Sequence, residues 1–227
     1  MTTLNDYCER LGPGLLAEPV NAVTNGAFLI AAWWIQARAR RLGVSGDPGI
    51  AGLTALAVAI GVGSTVFHTV ATSWALLADV VPILLFQLLF LWLYLRRRTA
   101  VGAAGALLLV ALFLLATLAS RSAPQVLNGS LAYYGPTLLV LLGLGWRELR
   151  QRQRPQLLLA GGVFSFSLLL RSIDQLVCPW LPIGTHLFWH LLNAVVLALA
   201  AAALMPPAAG AAPAGIGGHT DNNALQP

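Results

Sequence analysis

The chain has 227 residues, of which 58% are hydrophobic and only 9% charged, with a mean hydropathy of +0.76. Soluble domains carry about 25% charged residues, so a soluble globular class is excluded. The net charge is +5, but the basic residues lie in clusters between apolar segments, which is the pattern of membrane orientation and not of nucleic-acid binding.

The chain begins with an acidic arm, residues 1–19, that contains Asp6, Glu9 and Glu18. Charges so early are inconsistent with a cleavable signal peptide. Glu18-Pro19 ends the arm, and proline suits the first turn of a helix. The first apolar segment runs from Val20 to Ile35 and reaches about 20 residues if Trp33 and Trp34 sit at an interface. Arg38, Arg40 and Arg41 follow it. The second segment is Gly49–Val70. The third is Ala75–Leu95, closed by Arg96, Arg97 and Arg98. The fourth is Val101–Leu118, followed by a polar connection through Ser130. The fifth is Leu131–Trp146, with Arg147, Arg150, Arg152 and Arg154 behind it. The sixth is Leu157–Leu170, then the connection RSIDQLVCPWLPIG, and the seventh is His186–Leu204. Residues 205–227 are rich in Pro, Ala and Gly and read as a disordered tail. The expected class is an all-α integral membrane protein, with a seven-transmembrane bundle over residues 20–204.

With seven alternating spans, the connections after the first, third and fifth share one side and hold ten of the thirteen arginines. The other side has Arg10, Arg121 and Arg171. The positive-inside rule then places the amino terminus outside and the tail in the cytoplasm. The chain contains no lysine, so a retinal Schiff base, which needs a lysine amine, is excluded.

Five polar residues stand where the surroundings call for Leu or Val: Ser64, His68, Asp79, His186 and His190. Ser64 and His68 are four apart, as are His186 and His190, so each pair shares a helix face. In the topology above all five fall at one depth near the outer surface, although nothing in the arginine count required it. Three neutral imidazoles with an open fourth position are the catalytic arrangement of zinc. Asp79 is then placed to carry a proton and Ser64 to bond a developing oxyanion. The chemistry that follows is metal-assisted hydrolysis of an amide or ester, on a lipid drawn from the bilayer. Each residue also has a plainer reading. His68 can be an interhelical hydrogen-bonding group, Asp79 part of a proton path and Ser64 a packing residue. Two other functions compete: a receptor-like or regulatory seven-helix protein with a residual metal site, and a bis-histidine haem protein. Cys8 and Cys178 form neither a CxxC nor a zinc-finger pattern.

At these residues the chain resembles the alkaline ceramidase family, part of a superfamily of seven-helix membrane hydrolases that also includes the adiponectin receptors. The matching pieces are Ser64-xxx-His68 with Asp79 in LLADVVPI, His186-LFW-His190, Asp6-Tyr7-Cys8-Glu9, Glu18-Pro-Val-Asn21-Ala-Val-Thr24-Asn25, and Arg171-Ser-Ile-Asp174 before Cys178. The resemblance implies zinc on His68, His186 and His190, with Ser64 and Asp79 at the reacting centre. It implies hydrolysis of ceramide to sphingosine and fatty acid, and a disulfide between Cys8 and Cys178. It also implies a calcium site on Asp6, Tyr7, Glu9 and Glu18, although Tyr7 stands where tryptophan is usual and Leu11 where an asparagine oxygen is usual. The lysine-free, Gly/Ala/Arg-rich composition suggests a bacterial inner membrane and an N-acyl lipid other than ceramide as a further substrate. No obligatory protein partner is evident.

Overall fold

The computed structural model describes residues 4–122, 130–151 and 154–207. The tail read as disordered lies, from residue 208 onward, outside the described residues, as does Arg152. Among the described residues the helices are α1 (Pro19–Thr24), α2 (Gly26–Arg41), α3 (Pro48–Val70), α4 (Ser73–Arg98), α5 (Ala103–Ala119), α6 (Ser130–Arg150), α7 (Gln156–Val177) and α8 (His186–Ala203), with a 3-10 turn at Ser120–Ser122. From α2 onward each helix packs against the next, and α8 returns against α2, so the long helices close a ring; α1 lies on α3 and α8. Four of them, α3, α4, α7 and α8, are long and apolar enough to cross a membrane, while α5 is apolar but shorter. Leu107, Leu112, Leu139, Leu159 and Phe166 are exposed on the outside of the ring. A soluble monomer rarely presents that much apolar surface, whereas a helix facing lipid must. The chain is a membrane protein.

Several helices run past the apolar segments that announce them. Arg38, Arg40 and Arg41 occupy the last turn of α2, Arg96, Arg97 and Arg98 that of α4, and Arg147 and Arg150 that of α6. Cations at a helix carboxyl end lie against its partial negative charge, so they prolong the helix instead of ending it. The first apolar segment is divided at Asn25 into α1 and α2. The sixth ends not at Leu170 but at Val177, which puts Arg171 and Asp174 on α7 and not in a loop.

The arginine-rich end is tied together by side chains. Asp47 caps α3 by accepting from the Gly49 and Ile50 N–H groups at 2.8 and 3.0 Å, with Pro48 in the first turn. The same carboxylate takes both terminal nitrogens of Arg97 from α4, each at 3.0 Å. Partial burial pushes the Asp47 carboxyl up, but Arg97 and the two backbone donors outweigh it and hold it below the ordinary carboxylate range. Arg147 donates to the Tyr94 hydroxyl at 3.3 Å, Arg98 lies 3.9 Å from the buried Glu148, and Arg154 donates to the Met205 carbonyl at 2.7 Å. These contacts join α4 to α3 and α6, and the residues just before α7 to the end of α8.

At the opposite end α3 turns into α4 within a few residues. Ala71 closes α3 in the left-handed region (φ 44°), and α4 starts at Ser73. Just below this corner Pro82 has no N–H to offer the Ala78 carbonyl, the acceptor four residues earlier. That carbonyl faces Gly63, where any Cβ would collide with it. Glycine at 63 therefore lets α3 and α4 approach closely beside Ser64 and Asp79.

Candidate metal centre

α3 carries His68 in its last turn and Ser64 one turn earlier, and α8 carries His186 and His190 in its first two turns. All three imidazoles are buried, with ring centroids 4.7–5.1 Å apart. One nitrogen from each ring lies within 4.8 Å of the others, which makes a group able to hold a metal ion. A triangle of that side puts its centre at most about 2.8 Å from each nitrogen. Zinc–nitrogen bonds are about 2.0–2.1 Å, so side-chain motion of under about 1 Å closes the set.

The far nitrogens explain why two of the rings aim correctly. His68 Nδ1 lies 2.5 Å from Glu18 Oε2. A carboxylate only accepts, so Nδ1 carries the proton and Nε2 presents its lone pair. His190 Nδ1 lies 2.9 Å from Thr24 Oγ1, whose own hydrogen goes to the Val20 or Asn21 carbonyl, so again Nδ1 donates. The Nε2 atoms of His68 and His190 are buried without a protein hydrogen bond. Such an atom costs about 1–3 kcal/mol unless something pairs with it, and an electrophile is what two aligned lone pairs suit. His186 is held differently. Its Nδ1 faces Arg171 Nη1 at 3.3 Å, and its ring lies flat on Tyr7 with centroids 3.6 Å apart.

The placement of His186 depends on Asp174, a fully buried carboxylate on α7. Its Oδ1 accepts from the Thr185 and His186 N–H groups at 2.6 and 2.9 Å, satisfying donors at the start of α8. Its Oδ2 accepts from Cys8 N–H at 3.0 Å. Gly184, at φ +67°, makes the corner before α8, and a side chain there would run into the Asp174 carboxylate. The Cys8–Cys178 disulfide, with Cα atoms 5.2 Å apart, pins the arm to the same corner. Arg171 sits one turn before Asp174, with its guanidinium over Tyr7, Tyr134 and Trp189 at 4.8–5.6 Å and its Nε donating to Ser130 Oγ at 2.9 Å. Reading the sequence for chemistry missed Arg171 and Asp174, which entered it only as part of a matching motif. The signal available was two charges in an otherwise apolar stretch.

Asp79, on the first turns of α4, is within electrostatic reach of His68 and Arg171 and adjoins the Ser64 hydroxyl. The structure therefore gathers Ser64, His68, Asp79, His186 and His190 at one end of the bundle.

The four residues of the calcium expectation meet different surroundings. Asp6 is exposed. Glu9 uses both oxygens on backbone donors, Val20 N–H at 2.7 Å and Asn21 N–H at 2.8 Å. Tyr7 is stacked on His186, and Glu18 faces His68, Arg10 and Asn21. Among the described residues, the three histidines are the one group of His, Cys, Asp or Glu side chains placed to share an ion. Burial pushes the Glu18 carboxyl up, but His68 and Arg10 outweigh it and keep it below its ordinary value.

Beside the histidines lies a narrow apolar cavity of about 60 Å³, walled by Phe28, Ile60, Phe86, Phe164, Trp189 and Asn193 among others. The Phe28 ring centroid is 6.3 Å from that of His190, so the cavity adjoins the cluster. Along α8 it extends from Trp189 to Ala200, about 16 Å at 1.5 Å per residue. Its few polar walls include Asn193, whose amide donates to Ser167 Oγ and the Trp189 carbonyl.

A family model described as Ceramidase matches residues 2–206. No curated protein sequence matches the chain.

Proposed function

The chain belongs to the ceramidase family, and from that premise we propose that it is a zinc-dependent hydrolase of lipid amides, cleaving ceramide or a related N-acyl lipid to a fatty acid and an amine. The observation that carries this reading is the set of three buried imidazoles, two with orphaned Nε2 atoms, next to a long apolar cavity. The family is metal-dependent, and a nitrogen-only donor set of this kind suits zinc better than a hard cation. The cavity is narrow and has the apolar lining of an acyl-chain site, so the scissile group would lie at the histidines with the chain running toward Ala200.

His68, His186 and His190 would hold the ion. When bound, zinc polarises the amide carbonyl and acidifies a water. Asp79 accepts the proton of the attacking water on a carboxylate oxygen. The water oxygen bonds to the carbonyl carbon, the C–N bond breaks, and the proton passes from Asp79 to the departing nitrogen. Ser64 donates its hydroxyl to the carbonyl oxygen while negative charge builds there. Gly63 and Pro82 serve this step indirectly, by letting Asp79 on α4 come close to Ser64 on α3.

We read α2–α8 as seven spans, with the arm outside and the carboxyl end in the cytoplasm. The arginines and their ties to Asp47, Tyr94 and Glu148 occupy one end of the ring, and the disulfide and the histidines the other, as the positive-inside rule and an oxidising exterior would arrange them. The substrate would then enter from the outer leaflet.

The test is incubation of the purified protein, in bilayers, with a mixture of N-acyl lipids. Free fatty acid should accumulate, and metal chelation should stop it. Protein that retains its metal yet turns over no N-acyl lipid would overturn this reading in favour of a receptor-like role.

A further inference from the structure

Glu18 is the buried carboxylate of the arm, and its counter-charge is already part of the chain. Arg10, 3% exposed, donates from Nε to Glu18 Oε1 at 2.5 Å, from Nη2 to the His68 carbonyl at 2.9 Å and from Nη1 to the Gly14 carbonyl at 3.4 Å. One carboxylate oxygen and two backbone carbonyls are the kind of oxygen set that a hard divalent ion gathers. Here a planar guanidinium meets them through three directed N–H groups. The other acidic groups that calcium would need are spent elsewhere: Glu9 on the backbone at the start of α1, and Asp6 at the surface.

We propose that Arg10 is the resident cation of the arm: it occupies the place beside Glu18 that a divalent ion would take, makes the arm independent of calcium, and holds the Glu18 carboxylate against His68 Nδ1. Arg10 is thus a positioning residue for a metal ligand, acting through Glu18 and also directly on the last turn of α3 through the His68 carbonyl. The part of the claim that concerns His68 rests on the metal reading above; the part that concerns calcium does not. A calcium ion would have to displace or sit against a buried fixed positive charge, and both possibilities oppose its binding.

The experiment uses the full-length protein, zinc-loaded, in detergent, with calcium as the probe. Wild-type melting temperature should be the same in calcium-depleted and calcium-supplemented buffer. A rise of several degrees with calcium would overturn the proposal, whether or not any variant folds. Arg10→Ala should lose zinc to a chromophoric chelator about 10–100-fold more readily than wild type, the range seen when a partner of a metal ligand is removed. Because Arg10→Ala exposes Glu18 Oε1 and the two carbonyls, added calcium should raise its melting temperature and restore part of its zinc retention. A folded Arg10→Ala that keeps zinc like wild type, or that ignores calcium, would defeat the proposal. Wild type that binds no metal would instead defeat the proposed function, so the two failures are distinguishable.

Discussion

Asp174 offers the sharpest perturbation of the site that leaves all three histidines in place. Alanine at 174 removes three bonds at once, from Thr185, His186 and Cys8 N–H, at 2.6, 2.9 and 3.0 Å. Bonds to a charged acceptor contribute about 1.5–3 kcal/mol each, so three at the low end give roughly 5 kcal/mol. For a chain of this size that corresponds to a fall in melting temperature on the order of 10–20 °C. Asparagine keeps an oxygen toward α8 but turns an NH2 group against Cys8 N–H. It should therefore cost less, about 2–3 kcal/mol for the lost bond and the unpaired donor. The assay is thermal unfolding of the full-length protein in detergent without reductant, with zinc retention followed in parallel. Zinc should weaken in the same order, because Asp174 fixes the backbone of His186. An alanine variant that melts with wild type and keeps its metal, or an asparagine variant worse than alanine, would refute the reasoning.

Asp79→Asn should retain zinc while turnover falls by about 10²–10⁴-fold, the usual contribution of a positioned acid–base group; metal content and fatty-acid release measured on one preparation separate the two effects. Ala200→Phe should shorten the cavity from its far end and shift preference toward shorter acyl chains. Each methylene refused is worth about 0.8 kcal/mol, or roughly fourfold in relative kcat/KM, and an unchanged chain-length profile would remove the acyl-chain assignment. Asp47→Ala should destabilise the arginine-rich end by about 1 kcal/mol at neutral pH. The folded carboxyl titrates below its unfolded value of about 3.9, so the wild-type advantage is full above that value. It is lost as the pH falls through the lower folded value, and melting curves of both proteins down a pH series check the sign.

The parts of the molecule legible in the sequence were those set by local periodicity. Apolar runs of helical length announced the long helices, Pro19 opened α1, and four-residue spacings put Ser64 with His68 and His186 with His190. Helix ends were less legible. Arg38 to Arg41 and Arg96 to Arg98 look like connections by polarity, yet a helix carboxyl end favours them. Arg171 and Asp174 look like a loop, yet aromatic rings cover one and three backbone N–H groups satisfy the other, so α7 continues through both. The carboxylates of the arm were the least legible. Three acids near a cysteine suit calcium as well as they suit backbone donors or an arginine, and their contacts come only with the fold. It gives Glu9 to α1 and Glu18 to His68 and Arg10.

The central claim, that His68, His186 and His190 share one ion, is tested most directly by elemental analysis of the purified protein beside His190→Ala, a variant that leaves the Asp174 and Glu18 contacts intact. The account predicts about one zinc per wild-type chain and its loss from the variant, with the fold preserved by circular dichroism. Zinc at equal stoichiometry in both proteins, or absent from wild type, would contradict it.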